Sequence, residues 1–128
     1  MTTKRVLIID DDRDHLQSLG IRLRAAGYQV SFAVDGVQAT SAVRKESPDL
    51  IILDIGLPGG DGFIVIGRLK ALAVSCGLPI IALSARDPES HEKRMLDAGA
   101  AAYFQKPADN AALLGKIREL LGEGANAA

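Results

Sequence analysis

Short apolar runs alternate with helical spacings along the whole chain. Val6-Leu7-Ile8-Ile9 is continuous, largely β-branched and bounded by charge, as expected of a strand buried on both faces. Leu16, Leu19 and Leu23 come next at helical spacing, and Gly27 is placed to stop that helix. Tyr28, Val30, Phe32 and Val34 then alternate, which predicts a second strand nearer a sheet edge. Residues 36–46 read as a weaker helix, ended before Ser47-Pro48 because the position ahead of proline disfavours helix.

Leu50-Ile51-Ile52-Leu53 is a second continuous apolar run, and it delivers Asp54 at its carboxyl end. Pro58, Gly59, Gly60 and Gly62 predict a loop, with Asp61 capping a helix that carries Phe63, Ile66 and Leu69. Pro79 to Leu83 predicts a fourth strand ending at Ser84. Asp87-Pro88-Glu89 supplies a cap, a first-turn proline and an acid for a helix closing near Gly99. Ala101 to Gln105 reads as a short fifth strand, with Lys106-Pro107 directly after it. Asp109 is placed to cap a last helix with Leu113, Leu114, Ile117, Leu120 and Leu121 on one face and Gly122 as its stop.

Strands alternating with helices imply a mostly parallel sheet covered on both faces. Right-handed crossovers narrow this to a doubly wound α/β sandwich. A length of 128 residues fits one domain, with a short frayed tail after Gly122. Composition changes little in that picture: 48% apolar residues without Trp point to a core of Val, Ile, Leu and Ala.

A net charge of -1 gives no reason to expect a nucleic-acid or anionic-membrane binder. The lone Cys76 cannot form an internal disulfide, which points to a reduced, cytoplasmic setting. The basic start Met1 to Arg5 precedes an apolar run too short for a secretory signal, and no window is long enough to span a membrane.

Open α/β sheets bind ligands outside the carboxyl ends of their strands. Asp10, Asp11 and Asp12 stand at the first such end, Asp54 at the third, Ser84 at the fourth and Lys106 at the fifth. Crowded carboxylates repel unless protonated or neutralised, and an all-oxygen group without His or Cys suits a hard ion such as Mg²⁺. An unprotonated Asp beside such an ion can act as a covalent nucleophile toward phosphorus. Lys106 and Ser84 would then balance two phosphoryl oxygens.

With Asp10-Asp11-Asp12 after its apolar run, Leu53-Asp54-Ile55-Gly56-Leu57-Pro58, Ile81-Ala82-Leu83-Ser84-Ala85 and Tyr103-Phe104-Gln105-Lys106-Pro107, the chain resembles the receiver domains of response regulators. The resemblance covers nearly the whole chain. It implies a flavodoxin-like (βα)5 sandwich with a five-stranded parallel sheet in the order 2-1-3-4-5, formed by residues 1–122, with 123–128 a tail or cut linker.

It further implies Asp54 as the phosphoacceptor, with Mg²⁺ held by Asp10, Asp11, Asp54 and the Gly56 carbonyl, Asp11 being favoured over Asp10 for direct contact with the ion. Ser84 corresponds to the switch hydroxyl, Lys106 to the phosphate-contacting lysine before a cis proline, and Tyr103 to the switch aromatic. The implied donor is a phosphohistidine on a sensor histidine kinase or a histidine phosphotransfer protein. Output would run through the fourth helix, fifth strand and fifth helix to an unknown protein partner, from a monomer or a phosphorylation-promoted dimer.

Blander roles compete at several positions. Asp12 reads as a helix-proximal acid rather than a third ligand, and Asp61 as a cap. His15 and His91 sit among polar residues of helical segments and are expected to be exposed and non-catalytic. Gly59-Gly60 lacks the lysine-serine tail of a phosphate loop and reads as a turn. A phosphatase turning over outside substrates would need a general acid, yet Gly56 stands where related Asp-nucleophile phosphatases carry one.

Overall fold

The computed structural model describes residues 3–55, 62–73, 77–85 and 88–122. Within them, strands β1 (Arg5–Ile9), β2 (Gln29–Ala33), β3 (Leu50–Asp54), β4 (Ile80–Ser84) and β5 (Ala102–Gln105) alternate with helices. These are α1 (Arg13–Ala25), α2 (Gly36–Glu46), α3 (Gly62–Ala73), α4 (Pro88–Asp97) and α5 (Asn110–Leu120). All strand pairings are parallel and the order is β2-β1-β3-β4-β5, so the expected topology holds. The predicted Asp61 and Asp87 caps, Gly56, Cys76, the His91 side chain and the tail 123–128 lie outside the described residues.

The continuous apolar runs form the central strands because helices cover both faces. Alternate residues go to opposite sides. Leu7, Ile9, Ile51, Leu53 and Ile80 pack with Val65, Ile66 and Leu69 of α3 and Met95 of α4. Val6, Ile8, Leu50, Ile52 and Ile81 pack with Leu16, Leu19 and Leu23 of α1 and Leu113 and Ile117 of α5. At about 1.5–3 kcal/mol for each fully buried aliphatic side chain, these two layers hold the strand ends on a stiff platform.

The edge strand behaves differently. Phe32 on β2 is 38% exposed, while the small Ala33 beside it is fully buried. The Phe32 ring lies over Gly20 of α1, where an added Cβ would come within 2.7 Å of it, and the Arg24 guanidinium sits 5.4 Å from its centroid. With a neighbour strand on one side only, β2 keeps part of this face open to solvent beside α1.

Helix ends obey local chemistry. Asp12 caps α1 by accepting from the amides of Asp14 and His15, Asp35 caps α2 through Gln38, and Asp109 caps α5 through Ala111. Ser47 takes a left-handed conformation (φ 48°) that ends α2 ahead of Pro48. At the start of α3, Gly62 presses against the backbone of Ile55, leaving no space for a side chain. That close approach ties α3 to the end of the strand bearing Asp54.

Candidate functional site

Parallel register brings four strand ends to one rim. Ile9 pairs with Leu53, Asp54 with Leu83, and Ser84 with Gln105. Backbone bonds continue past the strands: the Asp10 amide donates to the Ala33 carbonyl at 3.0 Å, and the Lys106 amide to the Ser84 carbonyl at 2.7 Å. The Lys106–Pro107 peptide is cis. Asp10, Asp54 and Ser84 are therefore fixed, and they are the three buried polar residues among those described.

Carboxylate oxygens of Asp10, Asp11 and Asp54 lie within 4.8 Å of one another. Lys106 Nζ stands 3.0 Å from Asp54 Oδ2 and 3.3 Å from Asp10 Oδ2. Asp10 Oδ1 accepts from the Asp12 amide at 3.0 Å. Burial works against charge on Asp10, but bonds from His15 and the Asp12 amide, together with the Lys106 charge, outweigh it and hold the carboxyl well below the usual carboxylate range. Burial also opposes charge on Lys106, whose pKa is nonetheless raised because the Asp54 and Asp10 carboxylates favour the ammonium.

Asp11 is exposed, unlike its buried neighbour Asp10, and so has freedom to approach an ion. Three carboxylates facing one ammonium leave surplus negative charge, and the donors are all oxygen. A hard divalent ion such as Mg²⁺ fits that set. Asp12 stays outside it, as a helix-proximal acid, and it caps α1, a role not expected from its sequence position. Tyr103 is half-buried on β5, packed against the layer formed with α3 and α4.

One expectation fails. His15 is not freely exposed: its side chain is 32% accessible, and Nδ1 bonds to Asp10 Oδ2. The sequence does carry a signal for it. His15 is the third residue of a helix whose cap directly follows the acidic pair, and helical side chains lean back toward the amino end.

Residues 6–118 match the response regulator receiver domain family, and the chain belongs to that family. It is 40% identical over 121 residues to the transcriptional regulatory protein PrrA of Mycobacterium tuberculosis, covering 94% of this chain and 51% of PrrA. The chain thus spans about half the length of the curated relatives it matches. A CheY-like receiver domain protein from Methanospirillum hungatei superposes with a TM-score of 0.87 at 31% identity, covering 99% of this chain and 100% of the other. The receiver domain of Saccharomyces cerevisiae Ssk1, solved with the histidine phosphotransfer signaling protein Ypd1, gives 0.82 at 25% identity, covering 92% and 88%. The parallel sheet and its acidic rim are thus those of a receiver domain from two-component signalling.

Proposed function

We propose that this domain accepts a phosphoryl group on Asp54 and passes the signal on by changing which protein it binds. The observation that carries this reading is the gathering of Asp10, Asp11 and Asp54 around one point, with Lys106 Nζ 3.0 Å from Asp54. An Asp54 carboxylate oxygen attacks phosphorus as the P–N bond of a phosphohistidine breaks. The bonding pair stays on the imidazole nitrogen, which takes up a proton. Lys106 then turns its ammonium to one phosphoryl oxygen, and the Ser84 hydroxyl donates to another. Mg²⁺, held by Asp11, Asp54, the Gly56 carbonyl and, in support, Asp10, would neutralise charge on the phosphoryl group. Water later attacks phosphorus and releases the Asp54 carboxylate, so the domain catalyses only its own modification and its reversal.

The donor in this reading is a sensor histidine kinase or a histidine phosphotransfer protein, by analogy with the Ypd1 partner of Ssk1. Ser84 and Tyr103 relay the change to α4, β5 and α5, the surface offered to a downstream protein. Residues 1–122 form the receiver and 123–128 a tail or linker, working in the cytoplasm. No helix among the described residues is long and apolar enough to cross a membrane.

Incubation with acetyl phosphate and Mg²⁺ tests the proposal by intact mass. A gain of one phosphoryl group is expected for the wild type and none for Asp54→Ala. Equal masses for both proteins would overturn it.

A further inference from the structure

We infer that His15 is a positioning residue, holding Asp10 in the orientation from which the rim takes its metal ion. This rests on the reading of the rim as a divalent-cation site. Asp10 is 1% exposed, so its carboxylate depends on protein donors rather than water. Oδ1 has the Asp12 amide; Oδ2 has His15 and Lys106. An ionised carboxylate only accepts, so His15 Nδ1 carries the hydrogen in this bond.

The two side-chain donors on Oδ2 are not equivalent. Lys106 also reaches Asp54, and in the proposed reaction it turns to the phosphoryl group. His15 has no such second task. Its backbone amide is already satisfied by the Asp12 side chain at 3.3 Å, so its ring adds nothing needed to cap α1. It is the donor that stays on Asp10 Oδ2 when Lys106 leaves.

Partners of this kind fix the direction of a metal-binding carboxylate, and their loss typically weakens metal binding by about 10–100-fold. On its other side, His15 lines a cavity of about 360 Å³ between α1 and the turn after β5, with Ser18, Leu19, Lys106 and Pro107. Smaller or differently shaped side chains therefore enter without a clash. A glutamine side chain at the third helical position can reach back toward the cap, and its amide NH2 can donate, so Gln is suited to replace the donor.

Calorimetric titration of Mg²⁺ into the unphosphorylated protein tests this, with wild type, His15→Ala and His15→Gln compared. Thermal unfolding in a chelator checks that each variant is folded. His15→Ala is expected to bind Mg²⁺ about tenfold more weakly, at the lower end of that range because Asp12 and Lys106 remain. His15→Gln should recover most of the loss. Phosphorylation of His15→Ala by acetyl phosphate should be slow at limiting Mg²⁺ and approach the wild-type rate at saturation.

Affinity within about twofold of wild type for a folded His15→Ala, well short of the loss expected for such a partner, overturns the inference alone, as does a Gln variant no better than Ala. A wild type that binds no Mg²⁺ overturns the cation-site reading and this inference with it.

Discussion

The two ends of the sheet both carry charged side chains, and they use them differently. At the amino end, Arg5 bridges neighbouring segments: its amide donates to Asp49 at 2.8 Å, its guanidinium to the Glu46 carbonyl at 2.8 Å and to Gln29 at 3.2 Å. Each donor meets an acceptor at the exposed surface, and no cluster of acids gathers there among the described residues. At the carboxyl end, three carboxylates face one ammonium, and two of them are buried. Satisfied hydrogen bonds at one end join segments. Surplus charge at the other, held by a stiff core, is an arrangement suited to receive a cation.

Acidification should separate the ends most strongly. Asp10 ionises well below the usual range in the folded state, so the unfolded chain takes up that proton first. Its contribution to stability is present above about pH 4 and lost as pH falls toward the folded value. Urea unfolding in a chelator, from about pH 7 down to about pH 3 to span that window, should therefore show a steeper fall for wild type than for Asp10→Asn. Parallel curves would place the pH dependence elsewhere.

Lys106→Ala is expected to act next most strongly. It strips Asp54 and Asp10 of their ammonium partner, and a charged hydrogen bond of this kind is worth about 1.5–3 kcal/mol. The loss should appear in metal-free unfolding curves and shrink when Mg²⁺ is added; equal losses with and without Mg²⁺ would contradict the surplus-charge account. The fold should survive, while phosphorylation no longer alters partner binding.

Arg5→Ala should have the smallest effect. The backbone bond to Asp49 survives the change, and two exposed side-chain bonds go, for about 1 kcal/mol. The yield of phosphorylated protein should not change. A fall in yield measured by intact mass would mean that the two ends are coupled.

Much of this was legible in the chain because parallel strands buried on both faces read as unbroken apolar runs. Val6–Ile9 and Leu50–Leu53 announce themselves, and the residue directly after each run must sit on the ligand-binding rim. Asp10, Asp54, Ser84 and Lys106 were found by that logic. His15 was not, because its meeting with Asp10 depends on the angle at which α1 leaves β1, which periodicity does not encode. Phe32 was also harder to place, since alternation gives a side chain's face but not how much of an edge face its neighbours cover.

Gly20 and Gly62 face different evolutionary limits. A side chain at position 20 would meet the Phe32 ring, which a smaller residue at position 32 could make room for. Substitutions at 20 and 32 should thus arise together, each compensating the other. At position 62 the obstacle is the backbone of Ile55, which every residue type possesses. No partner mutation can clear that space, so drift at position 62 is closed while drift at position 20 is only conditional.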